Sequence, residues 1–341
     1  MSSTPPVEQK PAEAADQRLD QTLRPASWEE YVGQENIKQN LQILLMAAKE
    51  RGAPPEHLLF YGPPGLGKTT LAHLIAKELG AQLRATSGPA IERVGDLAAL
   101  LTNLGDGDIL FIDEIHRLPR SIEEVLYPAM ESGALNIILG KGPSARTIEL
   151  PLPSFTLIAA TTRVADLSAP LRSRFSGGAF RLEFYSQKNI EDIVRRSAQI
   201  LGVAVDDTGV REIAKRARAT PRTANYLLKR ARDWAQLKRV PLSSDAVTAA
   251  LELLEIDALG LTPLDRKFLL ALIERFRGGP AGVSAIAAAL AEEPATLSEV
   301  HEPYLLQLAL IERTPRGRVA TPAAYRHLGK EVPADATEKL L

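Results

Sequence analysis

The segment 57–70 contains the residues with the clearest chemical potential in the chain. Gly62, Gly67, Lys68 and Thr69 occupy the fixed positions of the motif G-x-x-x-x-G-K-[ST], and an apolar run before them supplies the strand that this motif requires. Glycines allow backbone N–H groups to turn inwards and hold phosphate oxygens at a helix N-terminus, whose dipole favours anions. The lysine would neutralise the β- and γ-phosphates, and the hydroxyl would hold Mg²⁺. The segment predicts a nucleotide-binding loop.

Two carboxylates follow the next strongly apolar run. Asp113 and Glu114 end the run 109–114, which has the composition of a parallel strand buried on both faces. Open α/β sheets bind ligands at the carboxyl ends of their strands. Asp113 is therefore predicted to reach the Mg²⁺ shell, and Glu114 to orient and deprotonate an attacking water. Two acids after a strand are also common as a helix cap, so this prediction depends on the phosphate loop that precedes them.

Later polar residues allow two interpretations each. Thr162 follows the predicted strand 155–160, where a hydroxyl either senses the γ-phosphate or belongs to a simple turn. Arg174 either belongs to a solvated face or, if the nucleotide of a neighbouring subunit lies against it, contacts that nucleotide. Arg222 follows Pro221 at a helix start. It is either surface decoration or a contact to the γ-phosphate from within the same subunit.

Composition limits the classes of protein to consider. A chain of 341 residues exceeds one comfortable hydrophobic core, so two or three domains are expected. The absence of cysteine excludes a disulfide framework and thiolate metal sites. Neither a signal peptide nor a membrane-spanning run is present, which predicts a cytoplasmic protein. A net charge of −1 means that any DNA contact must come from a local patch.

The order of predicted elements divides the chain into a tail and three domains. Residues 1–22 lack an apolar period and are predicted to be disordered. Residues 23–184 alternate strands and helices, which indicates an α/β P-loop core with a parallel sheet between helices. A hairpin is predicted at 135–150. Residues 185–256 are predicted to be all-α, with helices at about 187–201, 207–219, 222–238 and 244–254.

The hairpin has a turn longer than a two-residue type. Ile137, Ile138 and Leu139 near its tip either form an exposed apolar patch or pack on their own domain. The sequence leaves both interpretations open.

The last domain, 257–341, has the pattern of a winged helix-turn-helix. A helix at 263–277 is followed by one that Ser284 caps and one that Thr296 opens and Pro303 kinks or breaks. Two short strands then flank a basic turn, a DNA-binding arrangement. The residues predicted to grip phosphates, without reading sequence, are Arg313, Arg316 and Arg318. A solvated basic turn is the alternative.

Taken together, these motifs resemble the AAA+ ATPase family and, within it, the Holliday-junction branch-migration motors. The resemblance covers roughly residues 20 to 330. Phosphate-loop and acidic motifs occur in very many ATPases, whereas two strings are much narrower. These are GPSARTI in the hairpin and RTPRGR in the wing.

The resemblance implies a nucleotide site for ATP and Mg²⁺. It places Leu23, Arg24, Tyr31 and Val32 around the adenine, with Tyr185 at the start of a lid domain. The residues that would hold the phosphates and Mg²⁺ are Gly65, Gly67, Lys68, Thr69 and Thr70, with Asp113 as the second metal ligand.

Four further assignments rest on the same resemblance. Thr162 matches sensor 1, Arg174 the arginine finger and Arg222 sensor 2. The segment Glu131, Ser132 and Gly133 is expected at a subunit boundary.

The resemblance also implies partners. The chain is expected to form a homohexameric ring on the double-stranded DNA arms of a Holliday junction and to drive branch migration in recombination and repair. The hairpin would dock on RuvA, and RuvC would join in a resolving complex. No membrane partner is expected.

Three departures and two rival interpretations accompany this resemblance. The loop 175–180 is longer than the usual family link, Pro294 stands where many relatives carry a basic residue, and the N-terminal tail is extra. A clamp-loader or initiator-like ATP-gated DNA-binding switch is the nearest rival, but it would lack the hairpin and winged-helix pair. A protein unfoldase would need an aromatic pore loop, and residues 87–95 contain no aromatic residue.

Overall fold

The computed structural model describes residues 19, 21–139 and 146–333, with the backbone alone given at 137–139, 146 and 147. The chain separates into two compact units. The first unit is Ser27–Phe184, and the second joins the described residues up to Ala26 to those from Tyr185 onward. Most of the predicted tail lies outside the described residues. At its end, the Leu23 N–H donates to the Leu19 carbonyl oxygen at 3.1 Å.

The first unit is built on a parallel sheet. The strands of this unit are β1 (Leu58–Tyr61), β2 (Leu83–Ser87), β3 (Ile109–Asp113), β4 (Ala134–Leu139), β5 (Arg146–Pro151), β6 (Thr156–Thr161) and β7 (Gly178–Arg181). Among the described residues, five of these form one sheet in the order β2-β3-β6-β1-β7, with every pairing parallel. All six residues of β6 are buried, as a central strand covered on both faces requires. This confirms the predicted P-loop architecture.

Helices cover this sheet. The helices of the unit are α1 (Glu35–Arg51), α2 (Lys68–Leu79), α3 (Val94–Thr102), α4 (Arg120–Glu131) and α5 (Ala169–Arg172). Helix α1 buries Ile37, Leu41 and Leu45 on one face. Helix α3 begins at Val94, and the Asp96 carboxylate stabilises this start because it accepts from the Arg93 N–H at 2.8 Å.

An edge strand occupies part of the loop predicted at 175–180. Strand β7 pairs with β1, and Gly178 lies opposite Leu58. A Cβ on Gly177 would lie 2.9 Å from the carbonyl oxygens of Glu56 and His57, so this position requires glycine. The strand escapes prediction because its residues alternate between half-buried and exposed at a sheet edge and lack a continuous apolar run.

The predicted hairpin is present. Strands β4 and β5 pair antiparallel, from Ala134 opposite Pro151 to Leu139 opposite Arg146. The side chains of Ile137, Ile138 and Leu139 lie outside the described residues, so the interpretation of the tip stays a prediction.

The second unit begins with four helices. They are α6 (Gln187–Ile200), α7 (Asp207–Arg216), α8 (Pro221–Lys238) and α9 (Ser244–Leu253). The side chains of Ser186, Asp206, Thr220 and Ser243 cap their N-termini. Helix α7 ends three residues before the predicted end. Arg218 and Ala219 follow it with left-handed φ values of 53° and 52°.

A winged helix completes this unit. Its elements are α10 (Pro263–Leu270), α11 (Val283–Leu290), α12 (Pro294–Thr296), α13 (Glu302–Gln307), β8 (Ile311–Thr314), β9 (Gly317–Ala320) and α14 (Pro322–His327). Phe268, Leu272 and Leu305 are fully buried in its core. The two strands flank the basic turn as predicted. No helix in the described ranges is long and apolar enough to cross a membrane.

Two predicted helix starts in this domain are wrong. Ser284 is the second residue of α11, and Gly282 holds the N-cap position. Thr296 ends α12 instead of opening a helix, and a π-helical turn over 297–301 leads into α13. Pro303 has no N–H to donate one turn back, and the wider turn before it accommodates the missing bond.

Candidate active site

The loop between β1 and α2 has the backbone that its glycines predict. Gly62, Gly65 and Gly67 have φ values of 135°, 81° and 99°. A Cβ on Gly62 would lie 2.6 Å from the carbonyl oxygen of Leu182, so no other residue fits there without displacement. The loop turns directly into α2 at Lys68. Strand, loop and helix follow one another as the motif requires.

Lys68, the first residue of α2, is buried against this loop, with 7% of its surface exposed. Its Nζ donates to the carbonyl oxygens of Gly62 at 2.9 Å and Pro63 at 3.0 Å. A buried ammonium requires such acceptors, and they hold the charge within the loop. Tyr31 is buried beside the loop, since a Cβ on Gly67 would meet its hydroxyl at 3.2 Å.

The sheet order brings the acidic motif to the same edge. Strand β6 lies between β1 and β3, and the Gly62 N–H donates to the Thr161 carbonyl oxygen at 3.2 Å. Because all three strands are parallel, their carboxyl ends lie at one edge of the sheet. Asp113 is the last residue of β3, and the phosphate loop and Thr162 directly follow β1 and β6. This is the edge where open α/β sheets bind ligands.

Glu114 is held in an unusual conformation. Its φ and ψ are 48° and 46°, in the left-handed region, which costs a non-glycine residue about 1–3 kcal/mol. Its N–H donates to Asp113 Oδ1 at 2.9 Å, and its Oε2 accepts from Thr162 Oγ1 at 3.2 Å. A Cβ on Gly88 would lie 2.4 Å from the Glu114 carbonyl oxygen. The sequence-predicted pair Glu114 and Thr162 is therefore in contact.

His116 joins this group, and the sequence reasoning missed it. Its Nδ1 lies 2.9 Å from Thr161 Oγ1 and 3.2 Å from Glu114 Oε2, and its side chain is 6% exposed. It stands on the 3-10 turn Ile115–Arg117 after the acidic motif. The only sequence signal was a histidine two residues after the glutamate. Thr162 and His116 thus both contact the same carboxylate oxygen of Glu114, Oε2.

Arg174 lies against its own unit. Its Nη1 donates to the Pro170 carbonyl oxygen at 2.6 Å, and its Nη2 lies 2.8 Å from Glu131 Oε1. The guanidinium carbon stands 4.5 Å from the ring centre of Tyr127, a cation–π contact. The family resemblance predicts Glu131 near a subunit boundary, together with Ser132 and Gly133. The structure brings it to the predicted finger.

Tyr127 is itself fixed by hydrogen bonds. Its hydroxyl donates to Glu123 Oε2 at 3.0 Å and lies 2.9 Å from Ser168 Oγ. Burial, followed by the Glu123 carboxylate, raises the pKa of Tyr127 despite the opposing hydrogen bond with Ser168. The ring beneath Arg174 therefore has a fixed position.

The remaining predicted nucleotide residues are divided between the units. Val32 is half-buried next to Tyr31 in the first unit, and the second unit contains Leu23, Arg24, Tyr185 and Arg222. Within the second unit, Arg196 donates to the carbonyl oxygens of Leu23 at 2.9 Å and Arg24 at 3.3 Å. The Tyr185 N–H donates to the Ala219 carbonyl oxygen at 3.0 Å. Arg222 is exposed in the first turn of α8.

The wing holds the three predicted arginines in different environments. Arg316 is exposed in the turn between β8 and β9. Arg313 and Arg318 both bind the carboxylate of Glu302, which is fully buried. The sequence reasoning missed Glu302 because the ion pair joins residues from separate elements.

Comparison with known proteins gives matches over most of the chain. The sequence matches models of the Holliday junction DNA helicase RuvB P-loop domain at 23–181, the RuvB AAA lid domain at 185–257 and the RuvB C-terminal winged helix domain at 258–329. It is 59% identical over 314 residues to the Holliday junction branch migration complex subunit RuvB of Dehalococcoides mccartyi (strain CBDB1). That alignment covers 92% of this chain and 90% of the relative.

Solved structures give the same result. The fold resembles that of the RuvB Holliday junction branch migration motor of Thermotoga maritima, with a TM-score of 0.84, 48% sequence identity, and coverage of 92% of this chain and 100% of the other. A point mutant of the same protein gives a TM-score of 0.85 and 48% identity over 91% of this chain and 99% of the other. The chain belongs to the RuvB family of Holliday junction DNA helicases.

Proposed function

We propose that this chain is an ATP-driven motor that moves Holliday junctions, the activity named for its relatives. One observation carries the proposal. The phosphate loop, Asp113, Glu114 and Thr162 lie at the carboxyl ends of three adjacent parallel strands, and Thr162 already contacts Glu114 at 3.2 Å.

The hydrolytic step follows from these side chains. Lys68 and the loop N–H groups bind the β- and γ-phosphates of ATP, together with Gly65, Gly67 and Thr70. Thr69 and Asp113 provide the hydroxyl and carboxylate oxygens that suit Mg²⁺, which would neutralise phosphate charge. Glu114 orients and deprotonates the attacking water, and Thr162 keeps the carboxylate in place.

The rest of the nucleotide site is assigned across domains and subunits. Leu23, Arg24, Tyr31, Val32 and Tyr185 enclose the adenine. Arg222 reports the γ-phosphate from the lid of the same subunit. Arg174 of the neighbouring subunit stabilises the transition state across a boundary formed by Glu131, Ser132 and Gly133, which requires a closed ring such as a homohexamer.

Three parts divide the mechanical work in this proposal. Residues 23–184 hydrolyse ATP, 185–256 form a lid that turns against them, and 257–341 hold duplex DNA through phosphate contacts of the wing. The hairpin 135–150 docks on RuvA, with Ile137, Ile138 and Leu139 near the contact. RuvC joins the assembly when junctions are resolved.

Dissociation of a synthetic four-way junction tests the proposal. The chain and its Glu114→Gln variant are compared with ATP, in the presence and absence of RuvA. We expect ATP-dependent branch migration that RuvA stimulates and that Glu114→Gln abolishes while ATP still binds. If ATP changes the affinity for DNA but no junction moves either with or without RuvA, the chain is a DNA-binding switch and the motor assignment is wrong.

A further inference from the structure

Two arginines face each other across the wing hairpin. Arg313 on β8 lies directly opposite Arg318 on β9 in the antiparallel register. Side chains at opposite positions of such a pair share one face of the hairpin, and like charges there repel each other. An anion that contacts both arginines would offset this repulsion.

Glu302 supplies that anion from below the hairpin. It is the first residue of α13 and is 0% exposed. Its Oε1 accepts from Nε and Nη2 of Arg313 at 2.9 and 2.7 Å and from Nε of Arg318 at 3.1 Å. Its Oε2 accepts from Nη2 of Arg318 at 2.9 Å. One buried carboxylate therefore fixes two guanidinium groups.

Glu302 binds the same edge of each guanidinium group, the edge that carries Nε and Nη2. Each donates Nε–H and one Nη2–H to Glu302, and a guanidinium carries five N–H groups. Three N–H groups of each side chain, the Nη1 pair and one on Nη2, thus point away from the carboxylate. That is the fork geometry that binds a phosphate. Two guanidiniums and one carboxylate also leave a net charge of +1, to which Arg316 in the turn adds another.

The backbone beneath Arg318 is held equally firmly. Its N–H donates to the Ala281 carbonyl oxygen at 2.7 Å, and its carbonyl oxygen accepts from the Ala281 N–H at 2.9 Å. The segment before Ala281 packs close to the same strand, because a Cβ on Gly279 would lie 2.3 Å from the Arg318 carbonyl oxygen. Only 16% of the Arg318 side chain is exposed, against 57% for Arg313. The cluster is a built feature of the domain.

We infer that Glu302 is a positioning residue for DNA binding, a buried anion that aims both wing arginines at phosphates of the nucleic-acid backbone. The inference rests on the proposed DNA role of the wing. It has an unusual consequence, because a negative charge close to DNA would strengthen binding. Removing that charge should therefore weaken DNA binding, whereas simple electrostatics predicts the opposite sign.

Glu302→Gln tests this sign, and Glu312→Gln is the matched control. Glu312 lies on the same hairpin, is exposed and is opposite Val319, so its replacement makes the same charge change without touching the arginine cluster. The assay is fluorescence anisotropy of a labelled duplex with the full-length chain over a series of salt concentrations. Thermal melting of each variant reports whether the fold is intact.

For Glu302→Gln we expect weaker binding and a smaller salt dependence. The slope of log K against log salt should fall in magnitude by about 0.9 for each arginine that no longer reaches a phosphate. At 0.1 M salt this corresponds to about eightfold weaker binding for each arginine lost. Glu312→Gln should bind at least as tightly as the unmodified chain. If Glu302→Gln binds as tightly as Glu312→Gln with an unchanged slope, Glu302 is merely structural and the inference is wrong.

Two further variants separate the possible failures. Arg313→Ala and Arg318→Ala must both weaken binding, and if neither does, the wing does not hold DNA and the proposed DNA role fails first. If Glu302→Gln fails to fold, Arg313→Lys replaces it in the binding assay. The lysine keeps the positive charge but cannot make the forked contact of a guanidinium. We expect it to bind more weakly than the unmodified chain, and unchanged binding would contradict the need for a fixed guanidinium.

Discussion

Asp265 is the residue whose replacement we expect to destabilise the second unit most. Its carboxylate is fully buried, and its Oδ2 accepts from Arg218 Nη1 at 2.5 Å and from the Thr262 N–H and hydroxyl at 2.8 and 2.7 Å. Its Oδ1 lies 2.7 Å from His301 Nδ1. Arg218 also stands 4.7 Å above the ring of Tyr304. Asp265 therefore links the helices after residue 185 to the winged helix.

The expected magnitude follows from the burial of both partners. Asp265→Asn removes the charge and directs an amide donor at groups that already donate, while the Arg218 side chain, 13% exposed, stays in place. Breaking one side of a buried ion pair costs about 3–5 kcal/mol. For a unit of this size that corresponds to a fall in melting temperature of about 6–20 °C.

Differential scanning calorimetry of the full-length chain measures this change. The control is Asp245→Asn, which removes an exposed carboxylate in the first turn of α9. We expect its melting temperature to stay within a few degrees of the unmodified chain. If Asp265→Asn melts no lower than Asp245→Asn, the buried network adds no stability and the reasoning is refuted.

The same residue predicts a dependence on pH. Burial raises the pKa of Asp265, but the hydrogen bond from His301, the charge of Arg218 and the donors of Thr262 outweigh it, so the pKa lies below its ordinary value. A carboxyl with a depressed folded-state pKa stabilises the fold above its unfolded pKa of about 3.9 and loses that contribution as the pH falls through the folded value. The gap in stability between the unmodified chain and Asp265→Asn should therefore narrow below about pH 4. If the difference in stability between the two proteins instead grows as the pH falls, the pKa of Asp265 is not lowered in the folded state.

Two more predictions concern the site at the sheet edge. Gly62→Ala places a Cβ 2.6 Å from the Leu182 carbonyl oxygen at a φ of 135°, so we expect a loss of about 1–3 kcal/mol and weaker binding of a fluorescent ATP analogue. Gly95→Ala, where a Cβ meets nothing within 4 Å inside a helix, is the control and should not lower the melting temperature. Thr162→Val removes the 3.2 Å hydrogen bond to Glu114 and should lower kcat by about tenfold or more without changing ATP affinity. Steady-state kinetics that show a raised KM with unchanged kcat would contradict the role of Thr162.

The sequence predicted the elements that depend on local patterns. The apolar runs before Gly62 and Asp113 identified buried parallel strands, and the sheet order then placed both motifs at one edge. Strand β7 was missed because Gly178 and its neighbours lie at an edge and carry no apolar run. Arg218 was assigned to a helix because its left-handed φ occurs without a glycine to signal it.

The ion-pair partners could not be predicted from spacing at all. Asp265 and Arg218 are 47 positions apart in the chain, so their contact depends on the packing of two domains. Glu302 looked like an ordinary helical glutamate, and only the folded hairpin shows that it lies beneath Arg313 and Arg318. Arg174 was identified by its motif, but its contact with Tyr127 follows from the arrangement of α4 and α5.

A subunit-mixing experiment tests the central claim most directly. Glu114→Gln subunits keep Arg174 but lack the catalytic carboxylate, and Arg174→Ala subunits keep the carboxylate but lack the finger. Each variant alone should bind ATP and hydrolyse almost none. Glu114→Gln lacks the base for the attacking water, and Arg174→Ala lacks a trans arginine that contributes about 10³–10⁵ in turnover. In an equal mixture assembled on junction DNA with RuvA, about a quarter of the subunit interfaces combine an intact carboxylate with an intact finger, and ATP hydrolysis should return. If both variants join the same rings and hydrolysis stays absent at every mixing ratio, Arg174 does not act across the subunit boundary and the proposed mechanism is wrong.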